Sequence, residues 1–168
     1  MTLHHDLLEQ AHHLAFREPG KPRQASLRRA VSTAYYSLFH FLLHEATNRL
    51  FPARPAALRE RASRAFTHFD AKNVCETFAN ENGGIKNLTT DPLEQQLTEI
   101  AATFVRLQEA RHQADYDLTQ TFERIQVAGC VDRARLAIAK WKAIKNNPNT
   151  NVFLAALLIH NRWNKYNK

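Results

Sequence analysis

Glycine and proline are scarce in this chain, 4 and 6 among 168 residues. So few breaks leave room mainly for long elements. Runs that alternate Val, Ile, Thr or Tyr with polar residues are missing, which argues against strands. Cysteine is confined to Cys75 and Cys130. Two isolated thiols show no metal-ligand spacing, and they suit a reducing compartment better than a disulfide scaffold. No apolar run exceeds Val152–Ile159, against roughly 20 residues for a bilayer span, so no membrane role is expected. The opening MTLHHDLLEQ places acid and histidine where a signal peptide would carry its apolar core. A cytoplasmic protein is therefore expected. Phosphate-loop and dinucleotide glycine patterns are also missing, and no quartet of metal ligands occurs; no cofactor and no metal are expected.

What is present reads as helix. Hydrophobic residues make up 44% and charged residues 23%, enough for one domain with a real core. The expected fold is an all-α, up-down bundle of five main helices over about residues 3–145. A short accessory helix, about 150–163, follows. Breaks are expected at EPGKP, at Pro52 and Pro55, at NENGG, before Asp91–Pro92, and at NNPN. Asp91 reads as an N-cap with Pro92 at the first helical position. Asn and Gly of NENGG read as left-handed caps.

The second helix, from about residue 23 or 25 to Leu50, is the most apolar. Leu27, Val31, Ala34, Leu38 and Phe41 recur in steps of four and three, and Ala30 and Ala34 let a neighbour approach closely. It should be the central helix. The fourth helix repeats the pattern with Leu93, Leu97, Ile100, Phe104, Leu107, position 111, Ala114 and Leu118. Position 111 is arginine. A charge where a leucine is expected must be paired and hydrogen-bonded, because an unpaired buried ion costs several kcal/mol. Asp115 lies four residues on. From the second helix, Tyr35, Tyr36, His40, His44 and Glu45 are expected to approach Arg111 and Asp115. His112 and Tyr116 form a second polar pair on an adjacent face.

Two of these stretches, LRRAVSTAYYSLFHFLLHEA and EARHQADYDL, resemble the HEPN superfamily of small helical-bundle domains. The pattern is A-Y-Y-x-x-F-H followed by R-x-x-A-D-Y, and THFDAKNVCETF looks like the family's histidine-bearing segment. The resemblance covers about residues 3–145. It implies a bundle of four or five helices, commonly dimeric, acting on RNA in a toxin–antitoxin or defence setting. Alternatively it implies an inactive partner of a nucleotidyltransferase or antitoxin. In the ribonuclease members an Arg followed after four to six residues by a His cleaves RNA without metal. The Arg stabilises phosphate charge and the His moves a proton during attack by the 2′-hydroxyl. Here Tyr116 occupies the place where that His would stand, and the looser pairs Arg106/His112 and Arg61/His68 are what chance supplies. On the resemblance, Arg111 would hold phosphate, His68 or His112 would transfer a proton, and Asp115 and Tyr116 would position them. The competing reading is a structural knot within a protein-interaction module.

Net charge is +7, which invites a nucleic-acid partner. Its distribution is uneven. Residues 1–64 hold ten Lys/Arg against five Asp/Glu, residues 65–118 four against nine, and residues 119–168 nine against two. Arg28 and Arg29 are candidates for RNA contact, against a solvated helix flank. Lys140 and Lys142 flank Trp141, which either stacks on RNA or packs into the core. VFLAALLI, residues 152–159, should cover the bundle or bury against a second chain, and a homodimer is expected. His40 and His44 share the spacing of a metal pair, but no third ligand accompanies them.

Overall fold

The central helix, α2 (Gln24–Leu50), follows from the stripe just described. Leu27, Ala30, Val31, Ala34, Tyr35 and Leu38 are wholly buried on it. A computed structural model of the chain describes residues 2–52, 55–81, 88–90 and 92–163. The other helices are α1 (Leu3–Ala15), α3 (Ala56–Ser63), α4 (His68–Ala79), α5 (Gln95–Tyr116), α6 (Arg124–Ile144) and α7 (Pro148–Trp163). No strand occurs among the described residues. The fold class is all-α, a helical bundle as expected, with seven helices among the described residues rather than six.

The extra helix comes from a break inside the expected third one. Thr67 caps α4, its Oγ1 accepting the Asp70 N–H at 3.1 Å while its hydroxyl bonds the Asp70 carboxylate. This T-x-x-D arrangement satisfies one orphan N–H, that of Asp70, and restarts the helix. At the far end of α4 Glu81 takes a left-handed conformation, with φ 50, while the cap residue Asn80, with φ −100, does not. A side chain there costs about 1 kcal/mol. Gly83, Gly84 and Asp91 lie outside the described residues, and Pro92 precedes α5 instead of opening it.

The chain divides into two compact units. Unit one comprises the residues up to Phe41 together with Thr103–Ala139. Here α1 buries Leu8, Ala11 and Ala15 and meets α2 through His4. The Ser37 hydroxyl donates to the His4 carbonyl at 2.8 Å, and the His4 ring meets the Phe41 edge at 5.1 Å. Tyr35 packs on Phe104 with ring centroids 5.4 Å apart. Val127, Val131 and Ala134 bring α6 into the same core.

Unit two comprises Leu42–Ala102 and the residues from Lys140 on. Ala71, Val74, Cys75 and Phe78 form the buried stripe of α4, spaced as one helical face. That face packs on α7, where Phe153, Leu154, Ala156 and Leu157 are buried. The Phe78 and Phe153 rings meet edge to face at 5.0 Å. The apolar run of residues 152–159 thus covers its own chain. Trp141 is buried, and its indole N–H donates to Glu45 at 2.7 Å. It packs in the core and is not a stacking platform. Asn149 pins the segment before α5, accepting from Thr90 N at 2.8 Å and donating to its carbonyl at 2.9 Å.

Burial, not ion pairing, holds these units. Each buried Phe or Leu contributes on the order of 2 kcal/mol, while an exposed ion pair such as Lys140–Glu99 contributes about 0.5 kcal/mol. Phe153→Ala is expected to cost about 3–5 kcal/mol in urea unfolding. Lys140→Ala should cost under about 1 kcal/mol. Similar losses for both would contradict this account.

Candidate functional site: the clamped end of α5

The stripe of α5 buries Leu97, Ile100, Phe104, Leu107 and Ala114, and Arg111 interrupts it. The Arg111 side chain is only 18% exposed and that of Asp115 is 27% exposed. Arg111 Nε lies 2.7 Å from Asp115 Oδ2, an ion-pair distance, although the N–H does not point along that line as a hydrogen bond would. Nη2 donates to the Tyr36 hydroxyl at 3.2 Å. The guanidinium also sits over two rings, 5.7 Å from the Tyr36 centroid and 5.4 Å from that of Tyr116. Each such contact adds about 0.5–1 kcal/mol. Partial burial works against the cation, and the Tyr36 hydroxyl and Asp115 carboxylate more than offset it, so Arg111 binds its proton more tightly than usual.

The supports of this pair come from one row of α2. Gln24, Arg28, Ser32 and Tyr36 stand four residues apart, and so share a helix face. Tyr36 holds Arg111, and the Ser32 hydroxyl donates to Asp115 Oδ1. Arg28 donates to the Ala114 carbonyl at 2.8 Å, to that of Asp117 at 2.9 Å, and to that of Gln120. Gln24 grips Phe122, donating to its carbonyl at 2.8 Å and accepting its N–H at 2.9 Å. Helix C-termini leave carbonyls without partners, and a cation is favoured there by the helix dipole. Arg28 is that cation. Its fork is spent on backbone, which corrects the expectation of a free RNA contact or a solvated flank.

The loop after α5 is locally braced as well. Asp117 Oδ1 accepts from Thr119 N at 2.9 Å and from Gln120 N at 3.3 Å, an Asx-type turn. Because the helix stops at Tyr116, Leu118 leaves the stripe and is 88% exposed. The capping box of α6 has Glu123 N donating to Gln126 Oε1 at 3.0 Å.

The remaining sequence candidates fall elsewhere. Tyr35 is buried against Phe104 and faces the core. His40 continues the α2 row one turn past Tyr36, half-buried, its ring 6.3 Å from the Tyr36 ring. Burial lowers its pKa below the usual histidine value. His44 bonds Asn48 at 2.8 Å and Glu45 accepts from the Trp141 indole; both belong to unit two. His68 opens α4 in unit two. His112 is exposed, its ring 5.0 Å from that of Tyr116. Arg29 and Lys142 are exposed, while Lys140 is paired with Glu99. No group of three metal-type side chains lies close enough to hold an ion among the described residues. Both thiols are buried, and burial pushes the Cys75 thiol well up.

Sequence reasoning missed Ser32 and the part Arg28 plays. The four-residue spacing Gln24, Arg28, Ser32, Tyr36 was the available signal, a polar line down an otherwise apolar helix. Compared with models of known families, with curated proteins and with solved structures, the chain matches none.

Arg28→Ala is expected to lower stability by about 2 kcal/mol, since charge-assisted bonds to carbonyls are lost. Arg29→Ala should stay within about 0.5 kcal/mol. Denaturant unfolding of the two variants separates clamp from flank, and equal midpoints would refute the clamp. His40 gives a second test. Its folded pKa is depressed, so its neutral ring contributes stability above the unfolded value of about 6.5, and that contribution is lost as pH falls below it. His40→Gln should therefore lose less thermal stability than wild type between neutral and mildly acid pH. An unchanged acid profile would show that burial of this ring carries no cost.

Proposed function

We propose that this chain is an RNA-associated, HEPN-like protein whose Arg111 receives a backbone phosphate at the end of α5. One observation carries the reading. Arg111 Nη1 has no hydrogen-bond partner among the described residues and is not among the buried polar atoms, so it can bond a ligand while Nε and Nη2 hold the side chain. Exposed Tyr116 and His112 lie on the adjoining turn, where a ring can stack on a base. In a cleavage reaction the guanidinium would take up charge on the phosphate while the 2′-hydroxyl attacks and the 5′-oxygen leaves. His112 is the proton-transfer candidate on that turn. The setting that fits is cytoplasmic, in a toxin–antitoxin or defence pair.

A second reading has its own observation. Asp115 neutralises Arg111, and Ser32 fixes Asp115, which is what a purely structural knot in a protein-interaction module requires. RNA binding separates the two. Arg111→Ala should weaken binding of a labelled RNA at least about tenfold, the loss of one charge-assisted contact, and Arg111→Lys should recover part of it. Incubation of total RNA in chelator, beside the same variants, reports cleavage. A variant that melts lower yet binds RNA as well as wild type would establish the structural reading instead.

A further inference from the structure

We infer that α3 is a polynucleotide-contacting helix, with Arg59, Arg61 and Arg64 reaching the phosphate backbone. This rests on the proposed RNA reading for its ligand class, and on unit two for its geometry. α3 is 8 residues long and buries no side chain, and its N-cap, Pro55, makes no capping bond. A helix this short is marginal alone, since isolated helices below about 12 residues hold little structure in water. It gives no fully buried residue to the core; Glu60 and Arg61 are exposed and Arg59 is half-buried. Its one large apolar residue, Leu58, is 41% exposed.

What it displays is positive charge. Three arginines stand on or just after it, against the single acid Glu60. Arg64 pairs with Glu60 at 2.6 Å, but the two side chains are 73% and 65% exposed. A pair so wet is readily exchanged for another anion. The Arg59 and Arg61 side chains make no hydrogen bond or ion pair among the described residues. Arg28, by contrast, spends its N–H groups inside the fold. Arg61 and Arg64, three apart, share a face.

The chemistry of α3 selects among anions. A membrane-surface helix needs a broad apolar face beside its basic one, and alanines with one leucine do not make it. Guanidinium groups match phosphate oxygens bidentately and are weakly hydrated, which suits a strand of phosphodiesters. RNA and DNA share that backbone.

The test is the salt dependence of binding by the full chain. Probes are a labelled single-stranded RNA, DNA of the same sequence, and phosphatidylserine vesicles. Neutralising three phosphate contacts should make the slope of log K against log salt shallower by about 2 in the Arg59→Gln, Arg61→Gln, Arg64→Gln triple variant. The matching triple lysine variant should keep the wild-type slope. Because α3 buries nothing, the glutamine variant should melt with wild type; if it melts lower, Arg61→Gln alone replaces it, with a slope change of about 0.7 expected. Wild type that binds neither RNA nor DNA overturns this inference and the proposed function together. Wild type that binds while the substituted chain keeps its slope overturns the α3 inference alone. Vesicle binding that replaces RNA binding and is lost on substitution overturns it in favour of a lipid surface. Preference for RNA over DNA, or none, identifies the strand.

Discussion

One row of side chains on α2 holds the end of α5 and the loop that follows it. A helix end leaves its last carbonyls without partners, and near a core those groups cannot simply be left to water. Arg28 answers three of the carbonyls at once. One turn further along, Ser32 takes the Asp115 carboxylate, and one turn beyond that Tyr36 takes Arg111. Because these bonds are stepped at the same interval, they share one register between α2 and α5. Sliding α5 by a residue would break all of them together. The position of Arg111, and any chemistry assigned to it, depends on that register.

The apolar half of this arrangement was legible in the sequence. Leucines, isoleucine and phenylalanine at alternating steps located the buried faces of α2 and α5, and the arginine that broke the stripe stood out as a half-buried group in need of partners. Asp115 and Tyr36 could be named in advance, the first by its spacing on the same helix and the second by its place on the central one. Arg28 could not. Within a single helix an arginine beside another arginine looks solvated, and only the backbone of a segment 86 residues away shows where its N–H groups go. Glu45 is a related case: one of its carboxylate oxygens accepts from the indole of Trp141, a contact that pattern alone does not disclose. The break at Thr67 was legible in principle, because T-x-x-D is a capping signature, but hydrophobic periodicity on both sides concealed it.

The two readings of Arg111 differ in what the asymmetry of its contacts means. An arginine recruited only to lock register gains by satisfying every donor, since each unsatisfied one weakens the lock. Here Nη2 is hydrogen-bonded, Nε is held at ion-pair distance without a hydrogen bond, and Nη1 is not engaged. An arginine that receives a ligand needs the opposite economy, with some donors fixed so that the rest are aimed. Asp115 tempers the affinity of such a site, because its charge opposes an incoming phosphate. It also holds the guanidinium still, which lowers the entropy lost on binding. The aromatic rings on either side leave the cation charged and flat, a geometry suited to a planar fork.

Net charge is a poor guide until the arginines used by the fold are set aside. The chain carries +7, yet in unit one Arg28 and Arg124 are bound to carbonyls and Arg111 to a carboxylate and a hydroxyl. A cation whose donors are directed at its own backbone still contributes to the long-range field, but it offers few hydrogen bonds to a ligand. The long-range field steers encounter, whereas contact bonds set residence. The helix that buries nothing is therefore worth more to an anionic strand than its share of the total charge implies, because its guanidinium groups can be given up to a new partner without undoing the fold.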